Sequence, residues 1–192
     1  MSDGVISDIS ETLRKLLQDK LADLVAPDHV SVESPAEIVL DTNPWLIIFL
    51  YQVTENPHFK YQEPERIASD QISRPPFVVD LHYLFVPYGQ NRDNEYQILG
   101  RVIQTFSDQP TLRGSWLQGG LAGSDKEFRI VHQSLSLEEL VRLWTTFYNR
   151  PFKASVSCQV TPVGIDSALA PVTVRPVVER DLRFHRGHDD VA

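Results

Sequence analysis

Asp80 and His82 stand two residues apart in the run FVVDLHYLFVPYG at 77–89. In an extended strand that spacing puts both side chains on one face, where a carboxylate and an imidazole could relay a proton or seat a metal. The blander reading is a satisfied polar contact or an interface hydrogen bond. Cys158 is the single cysteine, and it would be a nucleophile only if the fold delivered a base to it. It shares its register with Ala154, Val156 and Val160, so a small buried apolar residue is expected. His185 and His188 with Asp189 and Asp190 could catch a metal, but they lie at a terminus with no framework to fix geometry. The six histidines, at 29, 58, 82, 132, 185 and 188, form no HExxH and no pair at helical ligand spacing. Gly119, Gly120 and Gly123 sit in a glycine-rich stretch without a GxGxxG pattern or a following capped helix, which reads as a flexible loop and not a phosphate cradle. No catalytic residue, cofactor site or metal site is expected; the one ligand-binding or enzymatic alternative is a site near Asp80 and His82.

The elements that must position these residues follow from apolar period. Val78, Val79, Leu81, Tyr83, Leu84, Phe85 and Val86 make 77–86 a central strand buried on both faces. Pro75 and Pro76 start it, and Pro87-Tyr88-Gly89 stop it. Asn94 can then cap a helix over 95–107, with Ile98, Leu99, Val102, Ile103 and Phe106 as its stripe. A first helix is expected over 3–24 on Ile6, Ile9, Leu13, Leu16, Leu17, Leu21 and Leu24. Ser136 and Glu139 form a capping box that opens a third helix over 136–148, whose stripe is Leu137, Leu140, Val141, Trp144 and Phe147. Trp45 to Val53 is a second strong strand, 153–165 a strand with one wet face, and 54–74 an arm or flap between strands. The expectation is one α/β (α+β) domain over 1–167, a mixed or antiparallel central sheet with about three amphipathic helices packed on it, and an extended C-terminal arm over 168–192.

Composition narrows the partners. At 192 residues with 42% hydrophobic and 23% charged residues, the chain has the balance of one globular domain. A formal net charge of −8 argues against nucleic acid or an anionic membrane surface as the main partner, because both demand a basic face. The longest apolar run, Trp45 to Tyr51, is far short of the ~20 residues that cross a bilayer, so no membrane span is expected. One cysteine and no signal-like N-terminus fit assembly in the cytoplasm. Trp116 and Leu117 lie where no core obviously needs them, and aromatic anchors on loops favour interfaces. Val172, Val174, Val177 and Val178 alternate between prolines in the tail, which suits an edge strand or arm that binds a partner.

Three blocks occur in an order that carries a resemblance: WLIIFLYQVTENPHF at 45–59, PPFVVDLHYLFVPYG at 75–89 and YQILGRVIQTFSDQPTL at 96–112, joined by SLSLEELVRLW at 134–144. Over residues 3–167 the chain resembles the N-terminal domain of the cap, or tail-terminator, proteins of phage-tail-like extracellular contractile injection systems. The resemblance implies a tail-terminator-like α/β domain that forms a homohexameric ring. It also implies that the ring closes the distal end of inner tube and contractile sheath, with no catalytic residues and no cofactor. The partners implied are a second copy of the chain, the inner tube protein and the sheath protein, and the place is the cytoplasm first and then an injection-system particle.

Overall fold

The computed structural model describes residues 4–39, 41–60, 63–68, 71–148 and 150–173. Among the described residues there are two sheets and three α-helices. Helix α1 (Val5–Lys20) leads through a turn to β1 (Val30–Ser31) and β2 (Trp45–Glu55), and a small hairpin of β3 (Glu65–Ala68) and β4 (Gln71–Ser73) precedes the long strand β5 (Phe77–Tyr88). Helix α2 (Arg92–Asp108), β6 (Thr111–Leu112), β7 (Phe128–Gln133), α3 (Leu137–Thr145), β8 (Val156–Ile165) and β9 (Val172–Thr173) complete it. The large sheet has the order β1-β2-β5-β8-β7-β6, antiparallel throughout except for the parallel pair β1 and β2. The mixed sheet with 77–86 at its centre is therefore as expected.

β5 is buried at every position after Phe77. Its residues Val79, Leu81, Tyr83 and Phe85 face α1 and α2, joining Ile9, Leu13, Leu17, Ile98, Val102 and Phe106 in the main core. The alternate residues Leu84, Val86 and Tyr88 face the other way and meet Ile38, Ile47, Trp144 and Phe147 under α3. Strand alternation thus sends one segment into two cores. A buried tie fixes α1 to it: the Ser10 hydroxyl donates to the Ile6 carbonyl at 2.9 Å, which leaves Tyr83 to donate to Ser10 Oγ at 2.7 Å.

Several boundaries and faces differ from expectation. The first helix is Val5–Lys20, shorter than 3–24, although Leu21 and Val25 continue its buried stripe through the turns that follow. Asn91 caps α2, with its side chain accepting from Asn94 N–H at 2.9 Å, so the helix begins upstream of the expected Asn94. The capping box of Ser136 and Glu139 is formed. In the stripe it opens, however, only Trp144 and Phe147 are buried, while Leu137 is 71% and Val141 47% exposed. The helix rests on the second core through Leu140, Leu143 and Trp144, so Leu137 and Val141 fall on the side that the sheet does not cover. Segment 54–74 holds β3 and β4, which with β9 form a second three-stranded sheet in the order β3-β4-β9.

The glycine-rich stretch is not a free loop. It forms two 3-10 turns, Gly114–Trp116 and Gly119–Leu121, folded onto the first turns of α1. Asp8 Oδ2 accepts Gly120 N–H at 3.1 Å, and Thr12 Oγ1 accepts Gln118 N–H at 3.0 Å. Gly119 has φ +60, and a Cβ there would lie 2.0 Å from Asp8 Oδ1. Only glycine meets both demands. Gly119→Ala should therefore cost about 2 kcal/mol, combining left-handed strain with the clash. In a double-mutant cycle by chemical denaturation, Asp8→Ala should relieve part of that cost; strict additivity would show that the Asp8 contact is not the cause.

Candidate functional site

Four strands place a polar ladder on the α3 side of the large sheet. Asp80 and His82 are 6% and 7% exposed, and their partners come from the strands on either side. Asp80 Oδ1 accepts Asn56 Nδ2–H at 2.7 Å and the Thr161 hydroxyl. His82 uses both ring nitrogens, Nε2 with Thr54 Oγ1 at 2.8 Å and Nδ1 with Gln133 Oε1 at 2.8 Å. Because Gln133 Oε1 can only accept, Nδ1 carries the proton, and Thr54 then donates to Nε2. Tyr51 extends the ladder, its hydroxyl lying 3.0 Å from Ser157 Oγ, and partial burial raises its pKa.

Two β-bulges make room for this. β2 slips at Tyr51 and β5 slips against β8 near Asp80, and each bulge turns an extra polar side chain onto the shared face. The sequence brought Asp80 and His82 together on that face, and the structure does the same. It fills the ring nitrogens and the Asp80 Oδ1 position with neutral neighbours, so their chemistry is spent on holding strands in register.

Cys158 is fully buried, and desolvation pushes its thiol up to about 12. The His132 Nδ1 at 3.5 Å does not offset that burial, so the sulfur stays protonated and unreactive. Among the described residues no group of His, Cys, Asp and Glu could hold a metal ion. His185, His188, Asp189 and Asp190 lie outside the described residues.

The residues expected to contact partners are spread apart. Leu117 is 2% exposed and belongs to the main core, so the core does require it: the glycine loop bends inward because α1 holds its backbone. Trp116 packs partly against that core, with Lys20 Nζ 5.4 Å above its ring. Val172 is half-exposed and pairs with Ile72 in the small sheet, so the tail's first residues join their own chain's sheet. Val174, Val177 and Val178 lie outside the described residues. Sequence reasoning missed the aromatic groove beside α3, lined by Val141, Trp144, Phe147, Tyr148, Arg150 and Phe152. The amphipathic period of α3 announced an apolar face, but nothing local told how much of it the sheet would cover.

Tyr83 and Cys158 are both neutral acids raised by burial to about 12. A raised folded-state pKa keeps its stabilising effect below the unfolded value, near 8.5 for Cys and 10 for Tyr, and loses it as pH climbs toward 12. Denaturation midpoints should fall from about pH 9 upward, and Cys158→Ala with Tyr83→Phe should flatten that fall. A wild-type slope retained in the double variant would place its cause elsewhere.

Among solved structures the fold is similar to two terminators. One is the sheath/tube terminator of an extracellular contractile injection system called PVC, solved in its extended state, at TM-score 0.62 and 16% identity over 93% of this chain and 64% of that chain. The other is the anti-feeding prophage cap, a tube terminating cap, at TM-score 0.65 and 17% identity over 93% of this chain and 61% of that chain. This chain thus spans less than two thirds of the length of either. No curated protein matches it in sequence. Among the described residues no helix is long and apolar enough to cross a membrane. Residues 8–180 match the Pvc16 N-terminal domain, and the chain belongs to that family.

Proposed function

We propose that this member of the Pvc16 N-terminal domain family is a structural cap. It closes the distal end of the inner tube and contractile sheath of a phage-tail-like contractile injection system and ends their polymerisation. The observation that carries the reading is the family match along residues 8–180, joined to a fold shared with two terminators over 93% of the chain. The working state is a homohexameric ring that assembles in the cytoplasm and stays on the particle. Its partners are neighbouring copies, the tube protein and the sheath protein, and it performs no catalysis.

Physical features support a binding role over a chemical one. Asp80 and His82, the best candidates for a ligand site, are occupied by Asn56, Thr161, Thr54 and Gln133. Exposed aromatic side chains instead lie just past the C-terminal end of α3, where Tyr148 and Phe152 are 84% and 52% exposed and line the groove with Val141. Large aromatics left in water are suited to anchoring an interface. Trp116 serves the same purpose on the α1 side, and Leu117 holds its loop from within.

Deleting this protein from a producing strain should give over-long, ragged or unstable tubes and sheaths with baseplates intact, seen by electron microscopy. End-on views of complete particles should show the protein in six-fold symmetry. Particles of normal length and contractility without it would remove the cap reading, and any other symmetry would remove the hexamer.

A further inference from the structure

The large sheet has an uncovered stretch on each side. At one side β1 pairs with β2 only at Leu46 and Ile47, and among the described residues no strand lies outside β2 beyond them. At the other, β6 pairs with β7 only at Phe128 and Arg129, and the next amide, Ile130 N–H, donates to the Pro110 carbonyl at 2.7 Å. Proline has no N–H, so it gives the Ile130 carbonyl no donor in exchange. From Val131 to Gln133, among the described residues, no strand lies outside β7. Bare runs of main-chain donors and acceptors are templates for another strand.

The two bare stretches fit each other. Direction alternates through β2, β5, β8 and β7, so β2 and β7 are antiparallel, and a second copy set edge to edge in the same orientation continues the alternation. Register follows from which groups point outward. Asn56 N–H donates inward to the Val78 carbonyl of β5 at 2.9 Å, so by alternation the main-chain groups of Val53 and Glu55 point out. On β7 the Ile130 N–H points out, and His132 therefore does the same. Face is the second condition. Val53 is opposite Leu81 and His132 is opposite Cys158, and Leu81 and Cys158 share the core on the α1 and α2 side. Setting Val53 against His132 and Glu55 against Ile130 meets both conditions, a slip of one residue fails both, and further travel toward Phe128 is blocked by β6. Exposed apolar groups meet in the same register. Ile103 and His132 line one cavity, where Val53 of the other copy would lie, and Thr54 would cover Val131 on the opposite face; Val53, Ile103 and Val131 are all exposed in the single chain.

We infer that residues 52–55 of β2 in one copy pair antiparallel with residues 130–133 of β7 in a second copy. This rests on the ring reading above and names the contact that links neighbours. The two surfaces differ, so the contact is heterologous and passes from copy to copy, as a ring requires. Pairing β2 with β2 would be two-fold, would stop at a dimer, and would leave Ile103 and Val131 in water.

The test uses two full-length variants with different tags, Thr54→Cys in one and Val131→Cys in the other, mixed under mild oxidation. The native Cys158 is buried and protonated, so it adds little background. Opposed residues of an antiparallel pair lie within disulfide range, so the mixed-tag dimer should exceed by about fivefold that of a control pair, Tyr148→Cys with Val131→Cys. Val53→Pro added to the first variant removes an outward N–H without touching the β2 and β5 ladder, and should bring the yield down to the control. In the unaltered protein, the Val53 and His132 amides should exchange hydrogen more slowly as copies assemble, which reads the contact without a substitution. A mixed-tag yield no higher than the control, or amides that assembly does not slow, overturns the inference. So does a dominant Thr54→Cys same-tag dimer, the mark of two-fold pairing. Six-fold rings on particles with those amides still fast would leave the cap reading standing and remove only this contact. Mixed-tag links and slowed amides in a protein that particles do not carry would keep the contact and remove the cap.

Discussion

The double burial of β5 is the constraint from which the other elements follow. A twelve-residue strand covered everywhere but its first position needs strands on both edges and a layer on each face, or its apolar side chains stay in water. β2 and β8 supply the edges. α1 and α2 supply one face completely, with Ile9, Leu13, Leu16, Leu17, Ile98 and Val102 all fully buried. The other face is covered in two different ways along its length. Over Leu84 and Val86 it is closed by Trp144 and Phe147, and at Asp80 and His82 the side chains are instead tied sideways to neighbouring strands by a polar ladder.

That division explains why the ladder is polar without being a site. A lone buried carboxylate or imidazole would carry a desolvation penalty of a few kcal/mol. Pairing each with a neutral hydrogen-bonding side chain from the next strand removes most of that cost and pins the register across β2, β5, β8 and β7 at once. A slip of one residue would move Asp80 and His82 into the main core. The polar pair therefore acts as a register device.

What the sequence made legible was what is encoded locally. The strand at 77–86, the capping box at Ser136 and Glu139, and the apolar stripe of α1 each repeat within a few residues, and each is found. The small sheet was not legible, because β4 and β9 are two or three residues long and join Ile72 to Val172, a pairing with no local period. Leu117 was misplaced for a related reason. Its burial depends on Asp8 and Thr12 holding the glycine loop to α1, a contact spanning about a hundred residues. The stripe of α3 was read correctly as a stripe, but its extent over the sheet is a property of packing, so Leu137 and Val141 were assigned to a core that ends before them. The candidate site followed the same pattern: the shared face of Asp80 and His82 came from strand period alone, whereas the bulges that surround them with Asn56, Thr161 and Gln133 did not.

The small sheet is tied to the large one by short links whose stiffness can be read from their residues. The small sheet joins the large one through the connection from β4 to β5. That connection is Pro75 and Pro76, whose φ angles are fixed by their rings, and Gly164 on the neighbouring strand packs its backbone close to Pro76. On the β2 side, Asn56 fixes the exit by accepting His58 N–H and donating to Asp80. The exit from β2 and the entry to β5 are thus held by hydrogen-bonded or stiff residues, which fixes the direction in which the β3 and β4 hairpin leaves the large sheet.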